Sequence, residues 1–153
     1  MRIHKGVSYG EQGEFISCLF CDIMRKTEPG TIVNENDRFV AFKTIAPVSS
    51  YHILICPREH IRNVTSLIRK EDKELLQDLW DFGRNTMGPE LAEGAMFCFH
   101  RSPWNSIDHL HLHGIAHPHT RGVLGRIKYS AGSPWCVTIQ AAMMELEKDR
   151  PWF

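Results

Sequence analysis

Short apolar runs separated by turn-forming residues predict three β-strands in the first part of the chain. Residues 31–33 and 39–45 are rich in apolar side chains, and the polar run 34–37 between them favours a turn. Residues 52–56 form a third run, which is almost entirely apolar and is ended by Pro57. Because a strand that is apolar on both faces is typical of the inside of a sheet, we predict a central position for 52–56.

A change of period after residue 66 predicts one long helix. Five apolar residues fall on a single helical face. Acidic residues precede them, and negative charge in the first turn stabilises the N-terminus of a helix. The apolar residues are Leu75, Leu76, Leu79, Trp80 and Met87, and the acidic ones are Glu71, Asp72 and Glu74. Gly88 and Pro89 end the helix. Shorter helices are predicted at 18–26 and near 138–147.

Two further strands, at 95–100 and 109–117, complete the predicted sheet. About five strands with one long helix and shorter terminal helices indicate an α+β fold with a mostly antiparallel sheet. Residues 1–14 are polar and contain glycine, so we interpret them as a loose N-terminal lead-in. Residues 15–153 then form a single domain that includes the C-terminal tail.

The composition narrows the function classes. The chain has 153 residues, with 18 Lys and Arg against 18 Asp and Glu, so its formal net charge is zero. A nucleic-acid partner is therefore not expected, since non-specific binding to a duplex depends on positive charge. No apolar run approaches the roughly 18 residues of a membrane span, and the N-terminus lacks a signal-peptide core. We expect a soluble protein of the cytoplasm, with the nucleus as a second location.

Residues 109–113 alternate strictly between histidine and leucine. In a strand, this spacing places Leu110 and Leu112 on one face and His109, His111 and His113 on the other. A histidine with an unperturbed pKa near 6.5 is neutral and nucleophilic at pH 7, yet able to carry a proton. Catalysis by at least one of the three is the favoured interpretation; a solvated strand face and a metal site using all three are the alternatives.

Cys18 and Cys21 form a CxxC pair that is compatible with zinc or with redox chemistry. A redox dithiol is typical of a thioredoxin-like βαβ context, which the predicted elements lack. Zinc requires four ligands, and two imidazoles would complete a tetrahedral site. His60 and His109 are candidates, although their spacing alone does not select them.

Four segments together resemble the histidine-triad family. HLHLHGI at 109–115 is similar to the signature His-φ-His-φ-His-φ-φ, in which φ is apolar, except that Gly114 takes one φ place. The other segments are CLFCDIMRK from residue 18, YHILICPREHI from residue 51 and FCFHRSPWNSIDHLHLH from residue 97. The resemblance runs from about Cys18 to Tyr129, and it implies the α+β fold of that family.

The resemblance implies hydrolysis of nucleoside 5′-phosphoramidates, with adenosine favoured over guanosine. His111 would attack the α-phosphorus and form a covalent nucleotidyl-histidine. His113 and His52 would fix the tautomer of His111 and support proton delivery to the leaving amine. Ser106 would bind the phosphate, with Asn105 beside it.

The resemblance also assigns a nucleotide slot, a metal and an assembly. The apolar residues of the slot are Leu19, Phe20, Ile23, Phe42 and Ile45. Thr44 occupies the place of the family's ribose-binding aspartate, and a neutral hydroxyl makes weaker hydrogen bonds than a carboxylate. The implied cofactor is a structural zinc ion on Cys18, Cys21, His60 and His109. The implied partners are a purine nucleotide and a second copy of the chain, as a homodimer.

Three other functions fit the same motifs. Aprataxin-like removal of adenylate from DNA ends and hydrolysis of dinucleoside polyphosphates would use the same histidines. A non-catalytic nucleotide-binding protein would keep the pocket for regulation, and Thr44 gives that alternative some support. Trp135 and Trp152 either close the site of a neighbouring chain or pack within their own.

Overall fold

The computed structural model describes residues 1–120 and 122–152, apart from the side chain of His119. The strands are β1 (Arg2–His4), β2 (Val7–Tyr9), β3 (Phe15–Cys18), β4 (Ile32–Glu35), β5 (Phe39–Lys43), β6 (Tyr51–Pro57), β7 (Met96–His100), β8 (Leu112–Ala116) and β9 (Cys136–Thr138). The α-helices are α1 (Leu19–Met24), α2 (Asp72–Met87), α3 (Pro89–Ala92), α4 (Val123–Lys128) and α5 (Ile139–Leu146). Short 3-10 helices cover Val64–Ser66 and Pro118–Thr120.

Among the described residues, the strands form a three-stranded and a six-stranded antiparallel sheet. The larger sheet has the order β4-β5-β6-β8-β7-β9, so β6 lies inside it, as its apolar sequence predicts. The α+β class and the long helix α2 are confirmed. The smaller sheet has the order β1-β2-β3.

The larger sheet separates two cores. On one face, which we call the helix face, α2 packs against β5, β6 and β8, and Leu76 and Leu79 are completely buried there. Leu110 and Leu112 belong to the same cluster. The opposite face, which we call the histidine face, therefore carries the three histidines of 109–113, because side chains alternate along an extended chain. The alternation predicted from the sequence is confirmed.

Two glycines allow α2 to approach the sheet closely. A Cβ atom at Gly114 would lie 3.2 Å from side-chain atoms of Ile55, Met87 and Phe97. A Cβ at Gly83 would lie 3.1–3.3 Å from Ile55 and Phe97. Gly114 takes one apolar place of the family signature, and Gly83 is its counterpart in α2. Both glycines lie against the same two side chains, Ile55 and Phe97.

The N-terminal segment is ordered, so the prediction of a loose lead-in at 1–14 is wrong for residues 2–9. β1 and β2 form a hairpin whose turn residues, Lys5 and Gly6, have φ of 50° and 75°. Positive φ at both positions suits the right-handed twist of a two-residue hairpin. Val7 and Tyr9 of β2 are buried in the core between the histidine face and α1. With three residues each, these strands are too short to give a clear period.

The last thirty described residues contain structure that the pattern missed. The prediction of about five strands omits β9, a three-residue edge strand paired with β7. The predicted C-terminal helix corresponds to α5, whereas α4 was not predicted. Trp135 donates its indole N–H to the carbonyl of Ile127, and Trp152 donates to that of Leu67. Both tryptophans therefore pack within their own chain.

None of the helices formed by residues 1–120 and 122–152 is both long and apolar enough to span a bilayer.

Restoring the family pattern at position 114 is expected to destabilise the fold. Gly114→Val adds a branched side chain where three side chains already lie 3.2 Å from the Cβ position. Overpacking of this kind costs about 1–3 kcal/mol of the free energy of unfolding. Urea denaturation measures the effect. Gly94→Val is the matched control, because no atom lies within 4 Å of its Cβ position; equal stability losses in the two variants would contradict the close-packing account.

Candidate active site

His111 is held in one tautomer by the backbone. It lies just before β8 with 5% of its surface exposed, and its Nδ1 is 2.6 Å from the carbonyl oxygen of His109. A carbonyl oxygen can only accept, so Nδ1 carries the proton and the lone pair of the neutral ring is on Nε2. The family resemblance assigned this orienting role to His52 and His113, but the carbonyl of His109 performs it.

His52 and His113 form a second hydrogen-bonded pair on the histidine face. The backbone N–H of Val48 donates to Nδ1 of His52 at 3.2 Å, so the neutral ring carries its proton on Nε2. That Nε2–H lies 2.9 Å from Nδ1 of His113 and donates to it. His113 consequently has its own proton on Nε2, a buried atom without a partner among the described residues. The pair therefore presents one free N–H donor beside His111, whose ring is 5.1 Å from that of His113.

Burial keeps these imidazoles neutral. It lowers the pKa of both His52 and His111 to about 4, and it lowers the pKa of His113 well below the usual value. The positive charge of Lys128 acts in the same direction on all three. At neutral pH, His111 therefore has the uncharged form that a nucleophile requires.

A groove with a volume of about 830 Å³ is lined by Phe20 and Tyr129, whose rings contact His111 and His113 respectively. Its walls include every apolar slot residue expected from the sequence, together with Thr44 and Ser106: Leu19, Phe20, Ile23, Phe42, Thr44, Ile45 and Ser106. The ring of Phe20 lies 5.2 Å from the ring of His111 and so connects the groove to the catalytic candidate. Ile45 is fully exposed at the rim, whereas Phe20, Ile23 and Phe42 are buried in the floor.

Ser106 and Asn105 differ in environment. Ser106 is exposed and lines the groove. Asn105 is 5% exposed and does not line it. The amide of Asn105 accepts from Nζ of Lys5 at 2.9 Å and donates to the carbonyl of Ile107 at 3.2 Å. Its side chain therefore bridges the chain on either side of Ser106.

The Thr44 hydroxyl oxygen already accepts a hydrogen bond within its own loop. Its Oγ1 accepts the backbone N–H of Ala46 at 3.2 Å, while the hydroxyl proton stays available to the groove. A carboxylate at this place would offer acceptors to both hydroxyls of a ribose, whereas threonine offers one shared oxygen.

Cys18, Cys21, His60 and His109 converge in the structure. One donor atom from each lies within 4.8 Å of the others. Nδ1 of His109 is 3.5 Å from both sulfur atoms and 3.1 Å from Nδ1 of His60. The hydrogen bond between the Cys18 and Cys21 side chains lowers the pKa of the Cys18 thiol and raises the pKa of the Cys21 thiol. Two sulfurs and two imidazole nitrogens at these distances are a donor set that could hold a metal ion.

The orientation of His109 favours that use. Its Nε2 is 2.9 Å from the carbonyl oxygen of Pro57, to which it donates, so the lone pair on Nδ1 points at the two sulfurs. An N–H to carbonyl contact of this kind fixes the ring of a metal-binding histidine. His60 lies three residues after the end of β6, and its ring packs against that of Phe15 at 4.4 Å.

Sequence reasoning missed three side chains around the site. Tyr129 is buried, with its hydroxyl 3.3 Å from Nδ1 of His113. Lys128 lines the groove beside it. Both come from α4 and its end, which the pattern did not predict. Asp108 is buried next to His109 and accepts hydrogen bonds from Tyr9 and Arg62. The sequence shows it only as a single carboxylate before the histidine motif.

Residues 17–129 match the family described as "Scavenger mRNA decapping enzyme C-term binding". This match covers most of the chain and includes both candidate sites. The chain is 34% identical, over 137 residues, to the bifunctional adenosine 5′-phosphosulfate phosphorylase/adenylylsulfatase HINT4 of Arabidopsis thaliana, covering 88% of this chain and 92% of the relative. The protein belongs to the histidine-triad family. The resemblance drawn from HLHLHGI and the three accompanying segments is thereby confirmed.

Other histidine-triad proteins support this placement. The adenosine 5′-monophosphoramidase HINT3 of Xenopus tropicalis is 32% identical over 136 residues, which cover 86% of this chain and 88% of the relative. A histidine-triad hydrolase of Clostridium thermocellum superposes with a TM-score of 0.57 at 30% identity, over 65% of this chain and 89% of that one. A histidine-triad protein of Clostridium difficile superposes with a TM-score of 0.59 at 26% identity, with the same coverage.

Proposed function

We propose that the protein hydrolyses nucleoside 5′-phosphoramidates, preferably of adenosine, through a nucleotidyl-His111 intermediate. The observation that supports this most is the tautomer of His111, since the His109 carbonyl holds the proton on Nδ1 and leaves the Nε2 lone pair free. That ring lies against Phe20 in the floor of the groove, where a nucleotide would bind. The family relatives named for adenosine 5′-monophosphoramidase activity point to the same chemistry.

The proposed reaction has two displacements at phosphorus. Nε2 of His111 attacks the α-phosphorus, the P–N bond breaks, and its electron pair remains on the amine, which takes up a proton. Solvent water supplies that proton, because neutral His113 would become an imidazolate if it lost its Nε2–H. The Nε2–H of His113, which lacks a partner among the described residues, is placed to donate a hydrogen bond to the reacting group. A second water then attacks the nucleotidyl-His111, releases the nucleoside monophosphate, returns the lone pair to Nε2 and gives its proton back to the solvent. Ser106 would donate to the phosphoryl oxygens, whose charge must be stabilised throughout.

A second candidate substrate class is a nucleotide with an anionic leaving group, such as adenosine 5′-phosphosulfate. The Lys128 ammonium lines the groove and acts electrostatically on His52, His111 and His113. A cation in this place would favour a departing anion over a neutral amine. Adenosine 5′-phosphosulfate appears in the name of the Arabidopsis relative, so both substrates should be assayed.

We also propose a structural zinc ion on Cys18, Cys21, His60 and His109. The chemistry of the donor set supports it: two sulfurs and two nitrogens meet, and the Nδ1 lone pair of His109 points at the sulfurs. A closed tetrahedral zinc site stabilises a fold and takes no part in the reaction. Here the ion would connect α1 with the segment that carries His111.

We also propose that the protein forms a homodimer and resides in the cytoplasm and the nucleus. The homodimer rests on the relationship to the histidine-triad family, and light scattering of the purified protein tests it. The location rests on composition and on the family resemblance.

Replacing the nucleophile is expected to abolish turnover. His111→Asn keeps a polar side chain but removes the attacking lone pair, so the release of AMP from adenosine 5′-phosphoramidate should fall by at least about 10³-fold, the scale expected for a lost nucleophile. Chromatography of the released AMP measures this, with His4→Asn, on the exposed strand β1, as the control. Unchanged turnover in His111→Asn contradicts the proposal. Nucleotide binding with no turnover in the wild type favours the non-catalytic alternative.

Restoring a carboxylate at position 44 is expected to strengthen nucleotide binding. Thr44→Asp should lower the dissociation constant of AMP about fivefold, since a charge-assisted hydrogen bond is worth about 1 kcal/mol more than a neutral one. The gain should be absent for 2′-deoxy-AMP. Thr44→Asn has the same shape without the charge, and calorimetric titration compares the variants. An equal gain with Asn, or with the deoxynucleotide, would contradict ribose recognition at this position.

Loss of the metal is expected to destabilise the fold. Cys21→Ser removes one ligand, and the purified variant should contain no stoichiometric zinc by elemental analysis. Its stability should fall by about 3 kcal/mol or more, or roughly 6–12 °C in Tm for a domain of this size. Cys56→Ala, which replaces a buried cysteine outside the donor set, should retain zinc. Wild-type protein without zinc after growth in zinc-supplemented medium would contradict the proposed site.

A further inference from the structure

The turn of the N-terminal hairpin contacts the loop that carries Ser106. The backbone N–H of Asp108 donates to the carbonyl of Lys5 at 2.9 Å. The next residue, Gly6, packs so closely that a Cβ atom there would lie 3.0 Å from Cδ1 of Ile107. The hairpin is itself attached to α1, since the N–H of Leu19 donates to the carbonyl of Gly6 at 2.9 Å.

The Lys5 side chain makes a second attachment on the other side of Ser106. Its Nζ donates to the carbonyl of Pro103 and, at 2.9 Å, to Oδ1 of Asn105. The Asn105 amide then donates to the carbonyl of Ile107. No carboxylate forms an ion pair with Lys5 among the described residues, so its bonding partners are the neutral oxygens of this loop.

Ser106 lies between these two attachments. Its neighbours Asn105 and Asp108 are buried and held by Lys5, whereas Ser106 itself is exposed towards the groove. A hydroxyl on an unattached loop would have to be ordered at each binding event, and that ordering reduces affinity. A loop fixed in advance presents the donor at no such cost.

We infer that Lys5 is a positioning residue for phosphate recognition: through Asn105 and the Asp108 backbone, it holds the Ser106 loop in the form that binds the nucleotide phosphate. This inference rests on the proposed function, because the proposal assigns the phosphate to Ser106. The N-terminal hairpin thereby contributes to substrate binding, although none of its residues lines the groove.

Lys5→Met tests this role. Lysine and methionine both carry an unbranched side chain, so either residue at position 5 meets the same backbone strain at φ 50°. The substitution therefore removes the ammonium without altering that strain. The dissociation constant of AMP should rise about 10-fold, which corresponds to the loss of a charged hydrogen bond. Adenosine has no phosphate, and its affinity should stay the same. Lys5→Arg, which retains the charge and the donors, should recover most of the AMP affinity.

Calorimetric titration with AMP and adenosine compares these variants with the wild type. Lys70→Met is the control, since Lys70 is an exposed lysine paired with Glu147 on the far side of the protein. An unchanged AMP affinity in Lys5→Met overturns the inference. Equal losses for AMP and adenosine overturn it as well, because they indicate a general structural effect.

A double-mutant cycle separates positioning from simple charge attraction. If Lys5 acts through Asn105, Asn105→Ala should weaken AMP binding and the addition of Lys5→Met should weaken it little further. Full additivity would contradict the route through Asn105. A wild type that binds AMP but does not cleave the phosphoramidate refutes the proposed reaction and leaves the binding comparison to decide on Lys5. A wild type that binds neither AMP nor adenosine overturns both.

Discussion

The pairing of β6 with β8 is the constraint on which both candidate sites depend. Leu54 lies opposite His113, and His52 lies opposite Ile115, so the two histidines share one face of the sheet. Leu110 and Leu112 are buried against α2 on the other face. A shift of one residue would exchange the faces, placing imidazoles in the apolar core and leucines in the groove. The cost of that exchange fixes the register.

Within this register, His109 and His111 are held in opposite tautomers. His109 donates from Nε2 to the carbonyl of Pro57 and turns its Nδ1 lone pair to the cysteines. His111 donates from Nδ1 to the carbonyl of His109, which leaves its Nε2 lone pair free, and its ring contacts Phe20 of the groove. Both acceptors are backbone atoms, so the difference follows from the fold. One motif can thereby hold a metal ligand and a nucleophile only two residues apart.

Much of the architecture could be predicted from the sequence because it depends on periodic patterns. The period of α2, the apolar run of β6 and the alternation of 109–113 are long enough to be unambiguous. The N-terminal hairpin was missed because its strands have three residues each and its turn uses Lys5 at positive φ, which the sequence does not signal. β9 and α4 were missed for a similar reason, since short elements are fixed by tertiary contacts.

Some residues of the candidate site could be predicted from the sequence, and others only from the structure. The histidines and the cysteine pair were found from local motifs and the apolar slot from the family resemblance, and the structure brings each group together. The sequence did not indicate the Lys5 contact with Asn105, because the two residues are far apart in the chain and neither belongs to a motif. Tyr129 and Lys128 likewise reach the histidine face only through the position of α4. Resemblance to the family identified residues by type, but the hydrogen bonds that assign their protons require coordinates.

The central claim is that His111, with its Nε2 free, is the group that becomes nucleotidylated. The most direct measurement is to quench the wild-type protein during turnover of adenosine 5′-phosphoramidate, digest it at neutral or alkaline pH, and locate the adenylyl group by tandem mass spectrometry. The account predicts the group on His111 and no adduct on His109 or His113. An adenylyl group on another residue, or rapid release of AMP with no protein adduct at any quench time, would contradict it.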